Sequence, residues 1–245
     1  MGIDGLVIDK RDPSELGLWP HQRKAVQRCE AYFASGSEKG CLVHMPTGTG
    51  KTGVMAVLAT RRAAEKPVLV VCPSAALVAQ LRREFKSEFW EKLGAPDIWR
   101  PDSVVQALPG SVDSLSEQLK KAAGKRVIIV ATFQAVQQIY AAGEVDKLHE
   151  FIGTILFDEG HREPAPSWAK VIRSFAVPTV LFSATPFRGD LKVFDIDENH
   201  IEFLSFSDAV VGALIRGVKV EDDGLSNDPA LFAKQIIEAH DKIYS

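Results

Sequence analysis

Five short apolar runs punctuate this chain, at residues 41–45, 68–72, 127–131, 154–157 and 179–182. Between them lie longer amphipathic stretches, at 51–62, 74–89, 133–142 and 167–175. The runs are apolar throughout instead of alternating with polar residues. Strands of that kind are buried on both faces, and strands separated by helices pair in parallel. The pattern therefore predicts an α/β domain: a mostly parallel central sheet between two helical layers. In open sheets of this kind ligands bind beyond the carboxyl ends of the strands. Those ends are where chemistry-bearing residues should be sought.

The flanks are less regular. Residues 1–13 read as an extended arm ending at Pro13, and residues 14–34 as mostly helical, with Pro20 suited to an early helical position. Gly36, Ser37 and Gly40 close that helix. The middle segment, 94–110, carries Pro96, Pro101 and Pro109 and reads as irregular. Beyond Gly189 a strand at 200–206 and a short helix at 207–216 are expected. Glu221-Asp222-Asp223-Gly224 then interrupts the chain, and a helical pattern begins at 229. These features divide the chain into an arm (1–13), a principal domain (14–217) and a connecting segment (218–245). The sequence stops inside an amphipathic pattern, which reads as a cut in a longer polypeptide.

Composition narrows the classes. The chain of 245 residues is 46% hydrophobic and 25% charged, ordinary for a globular domain. Its net charge of -3 advertises no global basic field. Three cysteines, Cys29, Cys41 and Cys72, have no CxxC spacing. Neither a disulfide framework nor a zinc site is implied, and a cytoplasmic setting fits best. The amino terminus lacks a signal-peptide pattern, and no apolar run is long enough to cross a bilayer.

Two strand ends carry the chemistry. Met45-Pro46-Thr47-Gly48-Thr49-Gly50-Lys51-Thr52 lies between a strand and a helix, the setting a phosphate-binding loop requires. Gly48 and Gly50 permit backbone angles that other residues resist, which lets successive amides, including those of Thr47 and Thr49, face phosphate oxygens. The helix starting near Lys51 adds its positive dipole end. Lys51 is expected on the β- and γ-phosphates of ATP and the Thr52 hydroxyl on Mg²⁺. The full loop pattern has Gly where this chain has Met45. The second strand end is Phe157-Asp158-Glu159-Gly160-His161. Asp158 would hold Mg²⁺ and Glu159 would polarise an attacking water, since one carboxylate cannot do both. His161 is expected to couple the nucleotide site to a neighbouring strand or domain. No guanine-recognition signature of the Asn-Lys-x-Asp type occurs.

In this order, the motifs resemble those of superfamily 2 helicases. Leu18-Trp19-Pro20-His21-Gln22 is similar to the family's segment before the first strand, with Trp19 where Arg is usual. By that resemblance Gln22 would hydrogen-bond the adenine edge. Residues 45–52 match motif I, and Asp158-Glu159-Gly160-His161 matches motif II in its DExH form. Ser183-Ala184-Thr185 matches motif III, which couples nucleotide state to nucleic-acid grip. Cys72-Pro73-Ser74 with Leu77 and Gln80 resembles motif Ia. Together with Ala131-Thr132-Phe133-Gln134 it would contact a nucleic-acid backbone through Pro73, Ser74, Gln80, Thr132 and Gln134. Ser74 and Thr132 equally suit helix N-caps, and the two roles can coexist. Thr185-Pro186-Phe187-Arg188 is similar to the branch containing type I and type III restriction motors, which favours DNA over RNA.

The resemblance implies a RecA-like P-loop fold, a three-layer sandwich, using ATP and Mg²⁺. It also implies a second RecA-like domain as partner, and a nuclease or defence-complex subunit is a further partner of such motors. A non-catalytic ATP-binding scaffold is the competing reading, opposed by intact Lys51, Thr52, Asp158 and Glu159. Pro101-Asp102 is the only hint of a nuclease core and reads as a loop. Arg82, Arg83, Lys86, Trp90 and Lys92 read as a solvated helix face with one aromatic turned inward.

Overall fold

A computed structural model describes residues 12–158, 170–184 and 195–215. All but Ile215 fall in the first of two units into which the chain divides, Met1–Leu214. The arm at 1–11 and the segment from 216 onward lie outside the described residues.

The described residues form one seven-stranded sheet in the order β3-β4-β2-β5-β6-β1-β7. The strands are β1 (Gly40–His44), β2 (Val68–Cys72), β3 (Ser103–Gln106), β4 (Val127–Thr132), β5 (Thr154–Asp158), β6 (Thr179–Ser183) and β7 (Ile196–Phe203). Every pairing is parallel. The five apolar runs are the five central strands, and all but the half-buried Thr179 in them is buried. Double-sided burial is what their lack of alternation encodes.

Successive side chains along these strands feed two separate cores, one on each face of the sheet. Cys41, Val43, Val68, Val70, Ile128, Val130, Leu156, Val180 and Phe182 pack on one side. They meet helices α1 (Pro20–Ser35), α2 (Lys51–Arg62) and α3 (Ala75–Arg83). Leu42, Leu69, Val71, Ile129, Ala131, Ile155, Phe157 and Leu181 pack on the other. Their partners include α5 (Val112–Lys121), α6 (Phe133–Ala141) and residues 171–175. This is the expected three-layer sandwich, held by apolar burial on both faces.

The stretch expected as one helix at 74–89 is longer and locally altered. After α3 it passes through a π turn at Glu84–Glu88 and continues as α4 (Phe89–Lys92). The wider turn seats Phe85, Phe89 and Trp90 together in the core. Trp90 is fully buried, and its indole N–H donates to the Phe85 carbonyl at 2.8 Å. Arg82 and Arg83 face solvent, Arg83 pairs with Glu88, and Lys92 pairs with Glu84. The basic stretch is thus a solvated face with its aromatic inward, as expected.

The middle segment departs from expectation. It contains edge strand β3, paired to β4 from Ser103↔Val127 to Gln106↔Val130. Asp102 precedes it, accepting from the Arg126 backbone N–H at 2.7 Å and pairing with the Arg126 guanidinium. Those bonds hold its carboxyl below the usual range despite partial burial. Pro101 and Asp102 form the loop that leads into β3, as expected of them. Helix α5 and the short α7 (Asp146–His149) were likewise not legible as elements. The expected helix at 14–34 splits into a 3-10 turn, Pro13–Glu15, and α1. Strand β7 begins earlier than residue 200, and the helix after it is Phe206–Val211.

Gly53 on α2 faces α4 closely. A β-carbon there would lie 2.8 Å from the Phe89 ring and 3.2 Å from the Gln22 amide. Gly53→Ala should therefore destabilise the domain by about 1–3 kcal/mol through overpacking. Urea denaturation would measure this, and Gly53→Ala combined with Phe89→Leu should recover part of the loss.

Candidate nucleotide site

The pairing registers align one row of residues across the sheet. Thr132 on β4 pairs with Cys72 on β2, one residue after Val71 pairs with both Ala131 and Phe157. Asp158 on β5 pairs with Phe182 on β6, which pairs with Val43 on β1. One residue further, His44 pairs with Ser183 and with Phe203 of β7. All strands run the same way, so all these positions lie at the carboxyl rim. Asp158 is two strands from β1, roughly 10 Å at the usual strand spacing.

The loop leaves the rim directly after His44. Gly48 and Gly50 have φ of 84° and 82°, the left-handed conformation expected of them. Helix α2 starts at Lys51; the Gly53 N–H donates to the Gly50 carbonyl at 3.0 Å, and the amides ahead of it have no preceding helical turn to accept them. Lys51 is buried, and its ammonium donates to the Met45 carbonyl at 3.0 Å and the Pro46 carbonyl at 3.4 Å. Thr49 is buried with its hydroxyl on the Pro46 carbonyl at 2.7 Å. Thr47 and Gly48 are exposed at the loop's tip, and Thr52 is half-buried on the first turn of α2.

Asp158 is buried at the end of β5. Glu159, Gly160 and His161 lie outside the described residues, as do Thr185 and residues 186–188. Among the described residues no cluster of three His, Cys, Asp or Glu could hold a metal by itself. A single carboxylate, Asp158, and a hydroxyl, Thr52, nevertheless suit Mg²⁺. This hard cation takes few protein oxygens and completes its shell with water and phosphate.

Motif III is tied to the root of the loop. The Met45 N–H donates to the Ser183 carbonyl at 3.0 Å. The His44 ring bonds through Nε2 to the Ala184 carbonyl at 3.0 Å. A carbonyl can only accept, so Nε2 carries the proton. The imidazole stacks on Phe203, with centroids 4.5 Å apart at 21°. His44 thereby joins β1, motif III and the edge strand, a role that sequence reasoning missed. Its signal was a polar residue inside an otherwise apolar run.

The segment before α1 is tied to the loop from the other side. His21 donates through Nε2 to the Thr49 carbonyl at 2.8 Å. Gln22 donates to the Gly50 carbonyl at 3.0 Å and accepts from the Trp19 N–H at 2.9 Å. A β-carbon at Gly50 would collide with the Gln22 amide nitrogen. Gln22 is thus built into the loop's support, whereas an adenine contact alone was expected of it.

Ser74 and Thr132 are both N-caps, as their alternative reading held. Ser74 accepts from the Leu77 N–H at 3.3 Å and Thr132 from the Ala135 N–H at 3.1 Å. Gln80 and Gln134 are exposed, and Pro73 is half-buried. Because Cys72 and Thr132 are paired, the two caps stand side by side at the rim. Cys72 is buried and its thiol is pushed up to about 12, mainly by that burial, so it stays neutral.

A parallel sheet between two helical layers, with a glycine loop and an aspartate at strand ends on one rim, defines a RecA-like P-loop ATPase domain of the helicase type. Residues 15–188 match the family model described as type III restriction enzyme, res subunit, and the chain belongs to that family. Among curated relatives, UvrABC system protein B of Kosmotoga olearia is 31% identical over 132 residues, covering 48% of this chain and 19% of that protein. The same protein of Dechloromonas aromatica is 33% identical over 126 residues, covering 44% and 18%. The chain thus matches about a fifth of the length of these relatives. Among solved structures, the Hef helicase domain of Pyrococcus furiosus superposes with a TM-score of 0.52 at 27% identity, covering 82% of this chain and 42% of that one. A nuclease-deletion mutant of the type ISP restriction-modification enzyme LlaGI gives 0.56 at 19% identity, covering 93% and 23%. At that identity it shows the fold alone.

Burial holds the His44 pKa below the ordinary histidine value, Lys51 adding to the effect, although the bond to Ala184 opposes it. The unfolded chain therefore takes up this proton first. Stability from His44 is complete above about pH 6.5 and is lost as pH falls through the lower folded value. Urea midpoints should fall between pH 7 and pH 5, and His44→Gln should flatten part of that slope.

Proposed function

We propose that this chain is the ATP-binding half of a motor that moves along nucleic acid, DNA in preference to RNA. The observation that carries the reading is the register-aligned row. It supports a shared pocket for the phosphate loop and Asp158, with motif III bonded to the loop's root.

In this reading the amides of residues 47–52 and the Lys51 ammonium bind the β- and γ-phosphates. Thr52 and Asp158 would hold Mg²⁺, which neutralises phosphate charge when bound. Glu159 orients a water and takes its proton as the oxygen attacks the γ-phosphorus and the bond to ADP breaks. His161, Ser183, Ala184 and Thr185 carry the change in nucleotide state toward the nucleic-acid side. Pro73, Ser74, Gln80, Thr132 and Gln134 line that side and would grip phosphates without reading bases. The preference for DNA rests on the restriction-enzyme family and the Thr185-Pro186-Phe187-Arg188 segment. The fold itself is neutral between the two.

The working enzyme needs a second RecA-like domain of the same polypeptide, which supplies an arginine finger. Such a group contributes about 10³–10⁵ in rate in related phosphoryl-transfer systems. Residues 1–245 alone should bind ATP weakly and hydrolyse it slowly or not at all. Family membership also favours an attached nuclease or defence subunit. Asp102 is not that nuclease centre, since its carboxylate is committed to Arg126. Among the described residues no helix is long and apolar enough to cross a membrane, and a cytoplasmic location is proposed.

Calorimetric titration with MgATP tests the pocket. Lys51→Ala should weaken binding by about 10- to 100-fold, the value of a charged hydrogen bond to phosphate. In the complete polypeptide, Glu159→Gln should retain ATP binding and abolish nucleic-acid-stimulated turnover. Undiminished turnover would remove Glu159 from catalysis.

A further inference from the structure

The sheet ends at β7, and this end is covered on one face only. The registers Leu42↔Ile201, Val43↔Glu202 and His44↔Phe203 assign its side chains to faces. Val43 belongs to the core that contains α1, and Leu42 to the opposite core. Glu202 accordingly turns toward α1, where it is buried and pairs with Lys24 at 2.9 Å and Arg28 at 3.9 Å. Ile201 and Phe203 take the other face, and there they stay 37% and 47% exposed. Phe206 and Val211, on the helix that follows, are 51% and 87% exposed. Among the described residues seven large apolar side chains are exposed, and four of them lie between residues 201 and 211. Single exposed apolar residues are ordinary, whereas a cluster marks a surface that meets a partner.

The backbone is open as well. Among the described residues β7 is paired on one side only. The Leu204 N–H donates to the His44 carbonyl at 2.9 Å, so it points toward β1. Backbone groups alternate in direction along a strand, which turns the N–H and C=O of Ile201 and Phe203 outward. Lower down, the edge is closed. The Asn199 N–H donates to the Asp197 carboxylate at 3.0 Å, and the Asn199 carbonyl accepts from Arg28 at 3.2 Å. Ile201 and Phe203 thus offer both hydrogen-bonding groups and apolar side chains to whatever lies alongside. Such an edge is a template for one more strand.

Charge selects the occupant. Residues 195–211 contain Asp195, Asp197, Glu198, Glu202 and Asp208 and no Lys or Arg. Lys39 answers Asp195, while Asn199 and His200 bond Asp197. Glu198 and Asp208 are exposed and, among the described residues, have no cationic partner. Nucleic acid, an anionic bilayer and a second copy of this edge would each bring like charge and be repelled. A polypeptide with Lys or Arg beside apolar residues matches both the charge and the apolar cluster. We propose that the outer edge of β7 docks a basic, apolar segment of a partner protein, which joins the sheet as a further strand. Its backbone pairs with Ile201 and Phe203, its apolar side chains cover Ile201, Phe203 and Phe206, and its cations answer Glu198 and Asp208. Docking there requires nothing of the nucleotide pocket.

The probe is a labelled peptide of alternating Lys and Val, titrated into the whole chain by fluorescence anisotropy. Alternating Lys and Pro keeps the charge but cannot pair as a strand, and alternating Glu and Val reverses the charge. The Lys–Val peptide should bind about tenfold or more tighter than either control. Amide NMR should place the largest shifts on residues 200–206, and the Ile201 and Phe203 N–H groups should become protected from deuterium exchange. Ile201→Pro removes an outward donor at a position that edge strands tolerate. It should weaken binding about tenfold, through a lost hydrogen bond and lost apolar contact. Glu198→Lys combined with Asp208→Lys should weaken the Lys–Val peptide and strengthen the Glu–Val one. Should Ile201→Pro unfold, exchange protection in the parent protein still decides the matter. No binding of the Lys–Val peptide, equal binding of the Lys–Pro peptide, unchanged binding by folded Ile201→Pro, or shifts centred elsewhere would each overturn the proposal. Dimers seen by sedimentation that the Ile201→Pro change abolishes would overturn it too, giving the edge to a second copy.

Discussion

The site depends on the parallel ladder that fixes the relative heights of β4, β2, β5, β6 and β1. In a parallel sheet every strand presents its carboxyl end to the same rim, so residues remote in sequence arrive level with one another. Thr132, Cys72, Asp158, Phe182 and Val43 form such a row. A slip of one residue in β5 would turn Asp158 to the opposite face of the sheet and exchange its core side chains between layers. The two apolar cores prevent this. Leu156 must meet the α1–α2 side while Ile155 and Phe157 meet the other. Hydrophobic burial thus sets the position of the Asp158 carboxyl group.

A second set of bonds converts the rim into a connected unit. Met45 and His44 bind the motif III backbone, while His21 and Gln22 bind the loop from α1. The loop's shape is set by its own bonds from Thr49 and Lys51 to the Met45 and Pro46 carbonyls together with these neighbours on both sides. The loop is thereby joined directly to β6 and to α1 through hydrogen bonds of ordinary length.

The strands and the loop were legible because their signals are local. A wholly apolar run flanked by helical patterns reads as an inner strand, and glycines before Lys51 at a strand end read as a phosphate loop. Edge strand β3 was not legible. It is half-buried, four residues long and set among prolines, so it lacks the pattern that double-sided burial writes into a sequence. The π turn at Glu84–Glu88 was invisible for a different reason. It exists to bring Phe85, Phe89 and Trp90 into one core, and nothing in the local sequence states where their partners lie.

By itself, the amino-acid sequence determined the layer architecture, the two strand ends that carry chemistry and the residue types at them, since side-chain polarity, periodicity and glycine content are properties of short segments. The tertiary structure alone decided what those residues touch. It put Gln22 into the loop's support, left Trp19 on the surface and made His44 the link between β1, motif III and β7. Each of these outcomes depends on which elements become neighbours, and neighbours are chosen by packing and strand register across the whole domain.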